Sequence, residues 1–289
     1  MKEIDEFIKY LKIVKKHSDY TLTNYKKDLI ELYQFNNNLL NLNEKDRDEY
    51  MEYLYNKKLN RNTISRKLSS IRSFYNYLYE EGYIKKNLFK ELKNPKKNLA
   101  LPKYAKDNDL EKIFSIFDKT TPLGQRNSLI LETLYATGVR VGELVNIKTS
   151  DIDYYNHSIR ILGKGKKERI VFYGSYCEDA LNLYLKKGYK ELNKRNQEYL
   201  FLNKNGEKIS ERSIRNIIND AVRKCQIEYH ISPHTLRHTF ATDLLNAGAD
   251  LMTVKELLGH SSINTTGIYT HVTSEQLRKV YDFSHPRSK

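Results

Sequence analysis

Ile4, Phe7, Ile8, Leu11 and Val14 recur three or four residues apart among charged neighbours, which predicts a helix with one apolar face. Leu22, Tyr25, Leu29, Leu32 and Tyr33 repeat the spacing, as do Tyr50, Met51, Leu54 and Tyr55 within Asp46 to Lys57. A further run, Ile64, Leu68, Ile71, Tyr75 and Leu78, starts near Asn62, a candidate N-cap, and stops at Gly82. Amphipathic helices in such close succession bury their apolar faces against one another, so residues 1–92 are expected to form a small bundle.

The period is lost at Lys93-Asn94-Pro95-Lys96-Lys97-Asn98-Leu99-Ala100-Leu101-Pro102-Lys103. Two prolines and a cluster of lysines predict a basic linker over 93–105, either a solvated connector or a segment laid along a polyanion. Beyond it, Asn127 to Thr137 is apolar at helical spacing up to Gly138. Residues 158–162 and 169–172 read as two strands joined through Gly163-Lys164-Gly165-Lys166-Lys167. Helices are expected again around 176–192, 211–225, 233–246 and 251–258, and Leu277, Val280, Tyr281 and Phe283 make an apolar stripe in the tail, 273–289. The fold class expected is mainly α with a small antiparallel β-sheet: a helical bundle followed by an α+β domain at 106–289.

A chain of 289 residues is long enough for two such cores, and 39% hydrophobic with 30% charged residues is a globular composition. The chain has neither an apolar run of about 18 residues nor a secretory opening, so a cytoplasmic protein without a membrane partner is expected. Cys177 and Cys225 are too few for a disulfide framework or a cysteine zinc site. The net charge is +14, and residues 1–100 and 101–289 each carry +7, so a polyanion could be held from two sides and released by salt. A chain this rich in Lys, Asn, Ile and Tyr also carries lysines that merely solvate helix faces, so charge by itself names no partner.

Several chemistries are excluded by what is missing. Gly163-Lys164-Gly165 lacks the length and the Ser/Thr of a phosphate loop, and Asp151 with Asp153 lacks the further ligands of a calcium loop. His234 and His238 lack the glutamate of a zincin helix, so neither metal nor cofactor is expected. The informative stretch is Ser232-Pro233-His234-Thr235-Leu236-Arg237-His238. Ser232 and Pro233 suit a helix start, and His234 and Arg237 then share one face beside outward-pointing N–H groups, an arrangement suited to a phosphate. Two more blocks flank it in sequence: Ala136-Thr137-Gly138-Val139-Arg140-Val141-Gly142-Glu143-Leu144, and Leu257 to His271, where His260 follows Gly259 and Tyr269 stands nine residues later.

Taken together and in this order, the three blocks resemble those of the tyrosine recombinase (phage integrase) family, most closely its simple Xer-type members, over essentially the whole chain. The resemblance implies a SAM-like helical core-binding domain at 1–92 and a catalytic domain at 106–289. It places the catalytic residues at Arg140, Lys164, His234, Arg237, His260 and Tyr269. Arg140 and Arg237 would fork onto the scissile phosphate, Tyr269 would be the nucleophile, and Lys164 the acid for the leaving 5′-oxygen. His234 resembles the base, His260 a phosphate donor, and Glu143 an orienter of an arginine. Hairpin register decides between Lys164 and its neighbours Lys166 and Lys167, the family pattern favouring Lys164.

By the same resemblance the partners are duplex DNA with inverted-repeat core sites and a homotetramer or heterotetramer on synapsed DNA. A paralogous recombinase or a regulatory motor protein is a further partner it allows, and no cofactor is implied. The expected role is resolution of chromosome or plasmid dimers. Alternatives are an integrase of a phage or mobile element, a type IB topoisomerase-like relaxase, and a non-catalytic DNA-binding relative. In relatives the C-terminal helix docks on the neighbouring protomer, whereas a stripe this short can equally fold onto its own domain. Gly142, where Ser is more usual, and Gly267, where a longer polar residue is, depart from the pattern. Helix position makes Arg61, Arg66, Arg72, Arg212 and Arg215 candidates for base contacts.

Overall fold

The apolar runs of the first ninety residues become α1 (Lys2–Ile13), α2 (Asp19–Phe35), α3 (Glu44–Asn56) and α4 (Arg61–Glu80). The computed structural model of the chain describes residues 1–95, 104–163, 167–259 and 274–288. Side chains open these helices: Ser18 Oγ accepts the Thr21 N–H at 3.3 Å, and Asn43 and Asp46 form a reciprocal capping box. Asn60, not Asn62, caps α4: its extended backbone lets Oδ1 accept the Asn62 N–H at 2.9 Å. Phe7, Leu29, Leu32, Tyr50, Leu54, Ile71, Phe74 and Leu78 fill the interior. Asp28 is buried among them, and Arg66, Lys67 (3.2 Å) and Ser70 Oγ (3.0 Å), all from α4, satisfy it. Only one register of α2 against α4 brings those donors to the carboxylate, so the network specifies the pairing.

The chain divides into two compact units, Met1–Ala100 and Leu101–Lys289; linker residues 96–103 lie outside the described ones. The second unit is organised round α6 (Pro122–Thr137), buried from Gly124 onward except at Asn127. It starts five residues before the apolar pattern does, because its polar first turn is also interior. There Arg126 donates to the Leu202 carbonyl at 2.8 Å, and Gln125 accepts the Gly188 N–H at 2.9 Å. That second bond falls within a π-helical turn, Tyr184–Gly188, which divides the single helix expected over 176–192 into α8 (Ser175–Leu183) and α9 (Tyr189–Leu192). The pattern also passed over α5 (Asp107–Ser115), which inserts Leu110, Ile113 and Phe114 into the core.

After α7 (Val141–Leu144), an antiparallel sheet runs in the order β1 (Ile152–Asp153), β2 (Ser158–Leu162), β3 (Glu168–Phe172), with Ile159 opposite Val171 and Ile161 opposite Arg169. Then come α10 (Glu211–Lys224), α11 (Pro233–Asn246), α12 (Leu251–Leu258) and α13 (Ser274–Ser284). Among the described residues no helix is long and apolar enough to cross a membrane.

The tail folds onto its own domain. Tyr281 packs with Phe172, Phe240, Leu244, Val254, Leu257 and Leu258, and Leu277 lies against them. Phe283 departs from the expected stripe and is 84% exposed, because two residues past Tyr281 is the far side of a helix. Arg287 pairs with buried Glu132 and lies over the rings of Phe114 (3.7 Å) and Tyr176 (4.4 Å). His285 is 3% exposed and stacks on Tyr281 at 5.1 Å, its Nδ1 accepting the Arg287 N–H at 3.1 Å.

Burial lowers the His285 pKa from 6.5 to about 3. The unfolded chain therefore binds the proton more readily than the folded one, and this imidazole costs stability as pH falls from 6.5 toward 3. Buried Glu132 and Asp243, raised by desolvation, carry the opposite sign, so a comparison isolates the histidine. Thermal unfolding of the wild type and His285→Phe should differ by a constant above pH 6.5 and shift steadily in the variant's favour below it. A difference independent of pH down to 4 contradicts a neutral, buried His285.

Candidate active site

Helix α6 ends at Gly138, whose φ of +59° is left-handed, and a Cβ there would lie 2.6 Å from Phe240 and 2.9 Å from Leu258. Only glycine meets both conditions, and the turn it makes sends Val139 inward and sets Arg140 at the N-cap of α7. Arg140 is tied to Glu143 twice. Its backbone N–H donates to Oε2 at 2.8 Å and its Nη1 to Oε1 at 2.9 Å, while the side chain remains 40% exposed.

Glu143 is buried and holds a second guanidinium: Arg169 of β3 donates through Nη1 and Nη2 to its two oxygens at 3.0 and 2.7 Å. Burial pushes the Glu143 carboxyl up, but the bonds from Arg169 and Arg140 outweigh it and hold the group below its ordinary pKa.

Arg237 arrives from the other side. Ser232 caps α11 by accepting the Thr235 N–H at 3.2 Å, and Pro233 occupies the first turn, as the sequence predicts. His234 is then exposed, and Arg237, one turn on, is buried. Its Nη1 donates to the Gly138 carbonyl at 2.5 Å and its Nη2 to the Leu258 carbonyl at 2.7 Å. Both carbonyls stand where a helix ends in a left-handed glycine, Gly138 after α6 and Gly259 after α12, so two helix C-termini point negative ends at one cation. Burial, then the neighbouring charges of Arg140 and Arg169, lowers the Arg237 pKa to about 10, which leaves it protonated at neutral pH.

The described structure thus brings Arg140, Glu143 and Arg237 together, with His234 exposed one turn before Arg237. Lys164, His260 and Tyr269 lie outside the described residues. Their approaches are partly described: the Gly163 N–H donates to the Lys167 carbonyl at 2.8 Å, and Gly259 precedes His260. At Gly142 a side chain would meet Glu211 Oε1 at 2.9 Å, so the departure from serine goes with a carboxylate already in that space. Of the base-contact candidates, Arg66 is committed to Asp28, Arg72 to the Leu92 carbonyl at 2.6 Å, and Arg215 to Glu211 at 2.5 Å. Arg212 is exposed on the first turn of α10.

Sequence reasoning passed over Arg169. Its signal was an inverted strand: Ile170 faces out, so Arg169 and Val171 share the inner face, and an arginine facing inward needs a carboxylate. Three guanidinium groups round a single carboxylate leave this cluster net positive. Planar donors fixed in that way suit a phosphodiester whose charge grows on its non-bridging oxygens.

Two family matches account for most of the chain: the phage integrase family at residues 103–276, and the phage integrase N-terminal SAM-like domain at residues 4–82. Tyrosine recombinase XerC of Oceanobacillus iheyensis is 45% identical over 293 residues, covering 99% of this chain and 96% of the relative. A crystal structure of XerH site-specific recombinase bound to palindromic difH substrate has a similar fold, with a TM-score of 0.73 at 23% identity over 96% of this chain and 84% of that one. A lambda integrase tetramer bound to a Holliday junction matches with a TM-score of 0.70 at 18% identity, over 91% and 75% of the two chains.

Proposed function

The chain belongs to the phage integrase family and is a Xer-type tyrosine recombinase, and on that premise we propose that it cuts and rejoins duplex DNA at the cluster of Arg140, Glu143, His234 and Arg237. Lys164, His260 and Tyr269 complete the site in this reading. The observation that supports it most is the pair of arginines meeting at Gly138, one clamped by two carbonyls and one with an exposed edge.

Tyr269 Oη attacks phosphorus in line and gives its proton to His234. The bond from phosphorus to the 5′-oxygen breaks as Lys164 protonates that oxygen, leaving a 3′-phosphotyrosyl link and a 5′-hydroxyl. Arg140, Arg237 and His260 hold the non-bridging oxygens, where charge accumulates. The link conserves the free energy of the phosphodiester, so a 5′-hydroxyl from the other duplex reverses the step without a nucleotide cofactor. Residues 1–92 and residues 106–289 each bring basic charge to the duplex, and the lysines of the linker 93–105 add to that attraction. Four protomers exchange strands between two inverted-repeat sites through a Holliday junction, in the service of resolving chromosome or plasmid dimers. DNA binding and oligomeric assembly are the properties its relatives support most directly.

A duplex core site nicked so that the cleaved end diffuses away traps the intermediate. The wild type should accumulate a covalent protein–DNA adduct and Tyr269→Phe none, on a denaturing gel. An adduct that persists unchanged in Tyr269→Phe removes that residue from the role of nucleophile.

A further inference from the structure

Arg169 takes no part in the reaction set out above, yet the described segments leading into the site meet at its side chain. It donates to both oxygens of Glu143, at 3.0 and 2.7 Å, and Glu143 takes only one side-chain bond from Arg140, at 2.9 Å. A methyl group at Gly163, which precedes Lys164, would come within 3.7 Å of Arg169 Nη1. One at Gly259, which precedes His260, would come within 2.8 Å of its Cδ. Arg169 is 14% exposed where Arg140 is 40% exposed, so it lies beneath the arginine that faces solvent.

We propose that Arg169 is a positioning residue: by occupying both oxygens of Glu143 it prevents that carboxylate from closing on Arg140, and so keeps an edge of Arg140 turned to the scissile phosphate. A carboxylate with free lone pairs beside a guanidinium forms a two-bond fork with it. Without Arg169, Arg140 and Glu143 would neutralise one another, and the cluster would lose both a charge and an aimed donor pair. With Arg169, two cations share one anion, and the surplus positive charge remains for the substrate. The two glycines let the described residues just before Lys164 and His260 lie directly against this assembly.

The inference rests on Arg140 being a phosphate ligand, and the test separates the two ideas. Single-turnover cleavage of the nicked duplex should be about 10²-fold slower in Arg169→Ala, the loss expected when a group is misplaced by an ångström. Duplex affinity should change by no more than about threefold, since at most one phosphate contact is disturbed. Adding Glu143→Gln to Arg169→Ala should restore cleavage about tenfold, because a neutral amide does not capture Arg140. An arginine that merely supported the fold would give a double variant no faster than the single one, and that result overturns the proposal, as does wild-type cleavage by Arg169→Ala. Should Arg169→Ala unfold, Arg169→Gln, which keeps the stem without the charge, carries the same comparison. A wild-type chain that forms no adduct overturns the site reading and this inference with it, whereas an adduct together with an unrescued double variant overturns this inference alone.

Discussion

Replacing Arg237 by alanine is expected to slow single-turnover cleavage by about 10³-fold or more, the range seen when a charge-stabilising donor is removed from a phosphoryl-transfer or oxyanion site. Two losses add here. In the proposed reading the phosphate loses a guanidinium, and the carbonyls of Gly138 and Leu258 lose their Arg237 donor in the interior. Orphaning buried carbonyls costs about 1–3 kcal/mol each, so the unfolding midpoint should fall as well. Arg237→Lys should restore the charge but not the rate: an ammonium is a point donor, without the planar fork that spans two carbonyls and still faces a ligand. Duplex binding should change far less than cleavage, because the rest of the basic surface remains. Cleavage by Arg237→Ala within tenfold of the wild type would remove Arg237 from the proposed site.

The second large effect is on stability. Arg287→Ala leaves Glu132 buried in the catalytic unit without its ion-pair partner. Breaking one side of such a pair costs about 3–5 kcal/mol. In a domain of this size that is roughly 10 °C in Tm. The rings of Phe114 and Tyr176 lose the guanidinium between them, and the tail that includes His285 and Tyr281 loses its last fixed point. Glu132→Gln with Arg287→Met should recover much of the loss, since the charge that made it costly is gone. Thermal unfolding of the full-length chain checks both. An Arg287→Ala midpoint within 2 °C of the wild type would mean the pair contributes nothing, contrary to its burial.

The architecture was legible where an amphipathic run is long, whereas the nine-residue α5 was passed over. The α1–α4 runs announced themselves by period, and Gly138 and Ser232 marked the ends of the helices that carry the two arginines. Legibility failed where polar groups are buried. The first turn of α6 was missed because Gln125 and Arg126 read as solvent-facing, although both bond to backbone from distant segments. The π turn at Tyr184–Gly188 has no sequence period of its own; it answers to Gln125, 63 residues away. At the site, Arg140 and Arg237 were found by motif and Glu143 by its place beside Arg140, whereas Arg169 emerged only with the strand register that turns it inward. Arg287 and His285 went unnoticed for the same reason: Glu132 lies 155 residues from Arg287, and the rings of Tyr135 and Phe240 reach His285 only from other helices.

The clamp on Arg237 also orders events in time. Its two carbonyl anchors lie 99 residues before it and 21 residues after it. A nascent chain on the ribosome completes the bundle of residues 1–92 long before residue 258 has emerged. Until it has, Arg237 Nη2 lacks the Leu258 carbonyl. In the proposed reading the cleavage site is therefore completed late in synthesis, and a chain cut short before Leu258 is expected not to cleave.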